Sequence, residues 1–136
     1  MNKMNAGFTL LELVIAMAIV AIIAMIAVPS YQNQMIKGQR TDGRAALLEN
    51  AQILERCYTE FGTYKPATPC PIKATSEEKY YTIAISNHTA SSYTLTATPN
   101  SGAVKKDDRC ASFALDSTGK KTAKNSGGTD STDDCW

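Results

Sequence analysis

Glu12 is the only ionisable side chain in an apolar run that extends from Phe8 to Val28, and Gly7 stands immediately in front of that run. A carboxylate in such a segment costs on the order of a few kcal/mol to place in hydrocarbon, so its presence asks for a partner. The run is long enough for one membrane crossing, which takes roughly 20 residues of helix. That demand, with a glycine that membrane anchoring alone leaves unexplained, is the chemical clue in this segment.

Four cysteines, Cys57, Cys70, Cys110 and Cys135, all follow the apolar run. They lack the CxxC spacing of zinc sites and redox motifs, which leaves two structural disulfides and an oxidising, extracytoplasmic compartment. Four cysteines permit three pairings, and spacing alone does not choose among them. Basic residues gather in two places: Lys105, Lys106 and Arg109 surround Asp107-Asp108, and Lys120, Lys121 and Lys124 come after the next turn. If two neighbouring loops brought them into one patch, they would offer contacts to DNA phosphates. The sequence favours the plainer reading, solvated loops half neutralised by Asp107 and Asp108. His88, in Ser86-Asn87-His88-Thr89-Ala90, is expected to be solvent-exposed and inert.

The chain of 136 residues has room for one domain. A net charge of +1 argues neither for a nucleic-acid packager nor for an acidic-tail protein, and confines electrostatics to local patches. An ordinary secretory signal with Lys3 as its basic region fits badly, because the apolar run exceeds a normal signal core and holds an acid. A plain membrane anchor accounts for the length but not for Gly7 or Glu12.

The elements that must position these residues begin with a helix. Pro29 should bend or loosen it one turn earlier, where the Met25 carbonyl loses its amide donor, and Gly38 and Gly43 are further weak points. From Arg44 onward Leu47, Ala51, Leu54 and Tyr58 recur at helical spacing and should pack on a sheet. Phe61-Gly62 ends the helix, which would then run for about 54 residues, or on the order of 80 Å, with half of it projecting. A loop with Pro66, Pro69 and Pro71 follows. Period-two alternation marks three strands, at Tyr81, Ile83 and Ile85, at Tyr93, Leu95 and Ala97, and at Ala111, Phe113 and Leu115. Asp116 to Gly119 reads as a turn, and Lys120 to Ala123 as a short fourth strand. The fold class is α+β, a long helix on a small antiparallel sheet. The tail from Lys124 to Asp134 has almost nothing apolar to bury and needs a tether.

Gly7-Phe8-Thr9-Leu10-Leu11-Glu12, followed by an apolar helix and Pro29-Ser30-Tyr31, resembles the class III signal of type IV pilins and pseudopilins. The resemblance implies cleavage after Gly7 by a prepilin peptidase, N-methylation of Phe8, and retention of the apolar segment. It implies that Glu12 of one subunit pairs with the Phe8 amine of a neighbour, each charge offsetting the other's desolvation and so setting register. It also implies that Cys110 bonds Cys135, closing a loop of about 25 residues worth roughly 3 kcal/mol, which leaves Cys57 to Cys70. Arg44 to Ala51, with Glu55-Arg56, Tyr58 and the final Asp133-Asp134-Cys135-Trp136, resembles the PilE-type minor pilins. The Arg44 to Ala51 stretch is also similar to ComP-type competence pilins, which bind DNA.

The expected organisation is a leader over 1–7, a transmembrane and polymerisation helix over 8–30, its amphipathic continuation over 31–62, and over 63–136 a loop, the sheet and a disulfide-bounded end. The expected function is a non-enzymatic fibre subunit, a minor pilin serving adhesion, twitching motility, aggregation or DNA uptake. It would be held in the inner membrane with its head in the periplasm and then enter an extracellular fibre. The resemblance implies as partners other pilin subunits, prepilin peptidase, an inner-membrane assembly platform, a separate ATPase motor and DNA. Alternatives are a DNA-receptor competence pilin, a type II secretion pseudopilin and an anchored periplasmic domain that never polymerises. Asp130, Asp133 and Asp134 carry oxygen ligands of the kind calcium takes, but a disulfide-closed tail does the same job, so neither metal nor cofactor is expected. In a pilin, the glycosylation acceptor pattern at Asn87-His88-Thr89 is an accidental match.

Overall fold

The computed structural model describes residues 7–136. The expected leader therefore lies outside the described residues, apart from Gly7. The chain divides into two compact units, one ending at Gln34 and the other comprising Met35–Trp136. In chain order the elements are helix α1 (Leu10–Phe61), strands β1 (Tyr81–Ser86) and β2 (Thr94–Pro99), a 3-10 turn (Ala103–Lys106), strands β3 (Ser112–Asp116) and β4 (Lys121–Lys124), and a single-turn helix α2 (Thr132–Cys135).

In the first unit, large apolar side chains from Phe8 to Val28 are all at least 52% exposed. Among the described residues nothing covers them, and the segment is long and apolar enough to cross a membrane. α1 continues through Pro29, although proline has no amide to give the Met25 carbonyl.

In the second unit the strands form one antiparallel meander in the order β1-β2-β3-β4. The register sets Ile83 opposite Ala97 and Ile85 opposite Leu95, then Leu95 opposite Leu115, and Phe113 opposite Ala123. Side chains alternate across a strand, so these residues share the inner face with Tyr81, while Thr82, Ala84, Thr96, Thr98, Ala114 and Thr122 occupy the outer one. The alternation read from the sequence matches these faces, with strand ends displaced by a residue: Tyr93 and Ala111 precede β2 and β3, and β4 starts at Lys121.

The face that α1 buries differs from the expected stripe. Gly43, Ala46, Leu47, Asn50, Leu54 and Cys57 are buried, whereas Tyr58 is 40% exposed. Steps of three and four still connect these positions, but the stripe centre runs through a glycine, an amide and a cysteine, which a search for large apolar residues passes over. Leu47 and Leu54 are fully buried, each worth roughly 1.5–3 kcal/mol of transfer free energy. Asn50 is satisfied throughout: Nδ2 donates to the Ala46 and Lys73 carbonyls at 3.0 and 3.1 Å, and Oδ1 accepts from the Lys73 amide at 2.6 Å. It latches the loop after α1 onto the helix. That helix ends as expected at Phe61, with Gly62 at φ 68° donating to the Tyr58 carbonyl at 2.8 Å.

Both sheet edges are covered, which removes the exposed backbone that invites aggregation. Along β1 the Ile83 amide reaches the Ala74 carbonyl and the Ser76 amide reaches Tyr81. Along β4 the Ser131 amide reaches Ala123, whose own amide donates to Thr132 Oγ1 at 2.9 Å. Disulfides join Cys57 to Cys70 and Cys110 to Cys135, with Cα separations of 6.2 and 5.8 Å. The tail has a second tether in Trp136, whose indole donates to the Thr122 carbonyl at 2.8 Å and meets Phe113 edge to face at 5.9 Å.

Gly43 is no weak point in this fold but the position of closest approach between helix and sheet. A Cβ there would fall 2.8–2.9 Å from the Tyr81 ring. Gly43→Ala should therefore destabilise the head by about 1–3 kcal/mol through overpacking, despite the roughly 0.5–1 kcal/mol that alanine gains over glycine in a helix. Thermal and denaturant melting check the sign: a variant as stable as the parent would mean that the two surfaces do not meet this closely.

Candidate functional site

At the N-terminal end nothing among the described residues crowds the Gly7–Phe8 bond: a Cβ on Gly7 meets nothing within 4 Å, and Phe8 is 86% exposed. Thr9 starts the helix, its Oγ1 accepting from the Glu12 amide at 3.2 Å and its carbonyl from the Leu13 amide at 3.2 Å. Glu12 thus occupies the third helical position, where the helix dipole favours an anion. The Thr-x-x-Glu spacing is a capping signature visible in the sequence, and reading Glu12 only as an unpaired acid misses it. Among the described residues no cation pairs with its carboxylate.

Lys105, Lys106, Arg109, Lys120, Lys121 and Lys124 are all exposed, but they do not form one cluster. The Ala111 amide donates to the Lys124 carbonyl at 2.8 Å and the Ser126 amide to the Asp108 carbonyl at 2.9 Å. The backbone at Arg109 and Lys124 therefore shares the end of the sheet where β3 begins and β4 finishes. Lys120 and Lys121 belong to the opposite end of β4, beside the β3–β4 turn. Lys121 stands 5.1 Å from the Trp136 ring centroid, a cation–π contact, and lines a groove with Glu55 and Asp116. Asp116 shapes that turn, its Oδ1 accepting from the Thr118 amide and hydroxyl and from the Lys120 amide at 2.9, 2.6 and 3.0 Å. These bonds, the Thr118 hydroxyl first, hold its carboxyl below the usual range.

Asp107 does not neutralise its lysine neighbours. Its side chain is 4% exposed and turned to α1, where Arg40 grips it through Nε to Oδ2 at 2.6 Å and Nη2 to Oδ1 at 2.8 Å. The expectation of half-cancelled charge fails for Asp107, because its partner lies far away in sequence. In sequence, Asp108 is the remaining acid beside Lys105, Lys106 and Arg109. Gln39 acts beside Arg40, its Oε1 accepting from the Val104 amide at 3.1 Å. Neither Arg40 nor Gln39 carries a local sequence signal of this role.

His88 also departs from expectation. It is half-buried and its Nε2 lies 2.7 Å from the Tyr64 carbonyl, so it braces the loop after α1 instead of standing free. Tyr64 is the centre of an aromatic row, 4.6 Å from Tyr58 and 4.8 Å from Tyr93 between ring centroids. Both Tyr64 and Tyr93 donate to Glu55 Oε1, at 2.8 and 3.2 Å. Burial first, and then the Glu55 carboxylate, pushes the Tyr64 hydroxyl up to about 12 and raises Tyr93 as well. In the tail, Asp130 Oδ1 accepts from the Thr132 amide at 2.8 Å, and among the described residues no group of three or more potential metal ligands comes together.

Residues 29–114 match the family described as type IV minor pilin ComP, DNA uptake sequence receptor. The chain belongs to this family of type IV minor pilins. Residues 2–28 of the pilin match the prokaryotic N-terminal methylation motif, which takes in Gly7, Phe8 and Glu12. The fimbrial protein EcpC of Eikenella corrodens is 29% identical over 120 residues, covering 87% of this pilin and 78% of the relative. The type IV major pilin protein PilE1 of Neisseria gonorrhoeae is also 29% identical over 120 residues, but the pilin spans only 53% of that relative. Among solved structures, the non-core minor pilin PilV of Neisseria meningitidis superimposes with a TM-score of 0.58 at 27% identity, over 71% of this chain and 93% of its own. A type IV pilin from Shewanella oneidensis gives 0.51 at 26% identity, over 74% and 97%. The long helix and four-stranded sheet are thus the pilin fold, and the family is one of structural subunits. Its match includes Lys105, Lys106 and Arg109 and stops before Lys120.

The tyrosine row yields a pH dependence with a definite sign. A hydroxyl whose pKa is higher in the folded head stabilises that head fully below pH 10.0, its ordinary value, and loses the contribution as pH rises toward about 12. The pilin should therefore lose stability across that alkaline window as Tyr64 and Tyr93 ionise beside Glu55. Glu55→Gln removes the neighbouring negative charge, so tyrosinate absorbance of the folded variant should set in at lower pH than in the parent. An unchanged onset would mean that the carboxylate does not hold these hydroxyls protonated.

Proposed function

We propose that this pilin is made as a prepilin, cut after Gly7 by a prepilin peptidase and methylated on Phe8. It waits in the inner membrane as a single-pass subunit with its head in the periplasm. An assembly platform, driven by a separate ATPase motor, then extracts it into an extracellular fibre with other pilins. The observation that carries this reading is the uncovered apolar surface from Phe8 to Val28, at least 52% exposed at every large side chain. Lipid covers it before assembly and neighbouring helices cover it afterwards. In that dry bundle Glu12 meets the Phe8 amine of the next subunit, and a subunit out of register buries an unpaired charge. The fibre would serve adhesion, twitching motility, aggregation or DNA uptake.

A second reading concerns the head, and the Arg40–Asp107 pair favours it. With Asp107 withdrawn to α1, the turn over 103–106 presents Lys105 and Lys106 outward, with Arg109 close behind in sequence. Positioned cations of this kind bind duplex phosphates and depend steeply on salt. The family description, a DNA uptake sequence receptor, is consistent with the same role. Under this reading the fibre presents a DNA-capturing head.

Each reading has its own test. Glu12→Ala subunits, co-expressed with wild type, should be depleted from sheared fibres by about tenfold or more, since a buried unpaired charge costs about 3–5 kcal/mol. Incorporation at wild-type levels would end the register role of Glu12. For the head, the full chain in detergent should bind duplex DNA in a salt-sensitive manner, and Lys105→Ala with Lys106→Ala should flatten the log–log salt dependence by about 0.9 for each phosphate no longer neutralised. A parent chain that shows no salt-sensitive binding would remove the DNA reading and leave the fibre reading untouched.

A further inference from the structure

The turn that carries Lys105 and Lys106 belongs by sequence to the connection between β2 and β3, yet α1 holds it. Its Val104 amide bonds the side chain of Gln39, and Val104 itself is buried in the core at 1% exposure. Gly102, at φ 75°, lies so close to Gln39 that a Cβ would fall 2.7 Å from Oε1. Immediately after Lys106, Asp107 turns inward to the two-point grip of Arg40, with 12% and 4% of the two side chains exposed. The Asp107 amide also returns to the Val104 carbonyl at 3.1 Å, and its Oδ1 receives the Arg109 amide at 3.3 Å. The residues on both sides of the two lysines are thus pinned while the lysines stay exposed.

We infer that Arg40 and Asp107 form a positioning clamp for the DNA-facing turn, so that affinity for duplex DNA depends on this buried pair as well as on the lysines that touch phosphate. The inference rests on the DNA reading of the head. Two physical effects act together. A guanidinium forks onto both carboxylate oxygens and fixes direction as well as distance, which an ammonium cannot do. A turn already fixed does not have to be ordered when phosphate binds. The second effect is electrostatic: a released Asp107 carboxylate would swing beside Lys105, Lys106 and Arg109 and compete with phosphate for them. The clamp keeps the anion away from its neighbours.

Arg40→Lys tests this without changing the net charge. In the full chain in detergent, it should bind a duplex about 3–10-fold more weakly than the parent at low salt, with a log–log salt slope shallower by about 1. Faster amide hydrogen exchange should be confined to residues 103–109. A merely structural role for Arg40 would lower the melting temperature of the variant but leave the affinity and salt slope of the folded chain unchanged. If Arg40→Lys fails to fold, Asp107→Glu is read in the same way, since it keeps the charge while its longer side chain spoils the two-point grip. Parental affinity and slope in the folded variant, together with weaker binding by the Lys105→Ala, Lys106→Ala chain, would overturn the clamp and leave the DNA reading standing. A parent that does not bind duplex removes both.

Discussion

The head is organised around the line where the ring of Tyr81 meets Gly43. Because the glycine has no side chain, the first strand can lie directly on the helix, and the register of the meander then carries Ile83, Leu95, Phe113 and Ala123 onto the same face. Ala46 and Asn50 extend the close approach along α1, and Leu47 and Leu54 fill the space beside it. The same geometry brings the turn after β2 against the preceding turn of the helix, where Gln39 and Arg40 receive it. A side chain at position 43 would have to displace an aromatic ring at the centre of the core.

With the inner face committed, the remaining problem for a four-stranded sheet is its two edges. Each is covered by a segment with little apolar content of its own, and each such segment is closed by a disulfide. The loop after α1, fastened by Cys57–Cys70, by Asn50 and by His88, guards β1. The tail, fastened by Cys110–Cys135 and by Trp136, guards β4. What stays open to solvent is an outer face of threonine, serine and alanine, and the exposed lysines at the ends of the sheet.

The strands are legible in the sequence because period-two alternation is a local property: hydroxyl and small residues alternate with large apolar ones over short runs, and the faces follow. The N-terminal methylation motif is legible because an acid in an apolar run, with glycine before it, is rare and costly. The buried stripe of α1 reads with its centre displaced, since Gly43, Asn50 and Cys57 look neutral until their partners are known. His88 looks idle because its partner, the Tyr64 carbonyl, is a backbone atom on another loop. The charge of the basic loop misleads for a related reason. Asp107 has lysine, aspartate and arginine within two positions in sequence, and the residue that takes it stands 67 positions away. Local composition cannot show which of several nearby charges is withdrawn by a distant one.

That distance has a mechanical meaning. A strand of DNA pulling on the turn over 103–106 would, in a meander joined only through its ladders, load the hydrogen bonds of β3 and β2 before the helix felt it. Gln39 and Arg40 provide a shorter route, from the turn straight into α1, the element whose other half is proposed to be embedded in the fibre. Under the proposed DNA reading, tension would pass through a bidentate ion pair and an amide hydrogen bond onto the helix. Within the head, α1 would then bear the load and the strands would serve as its housing.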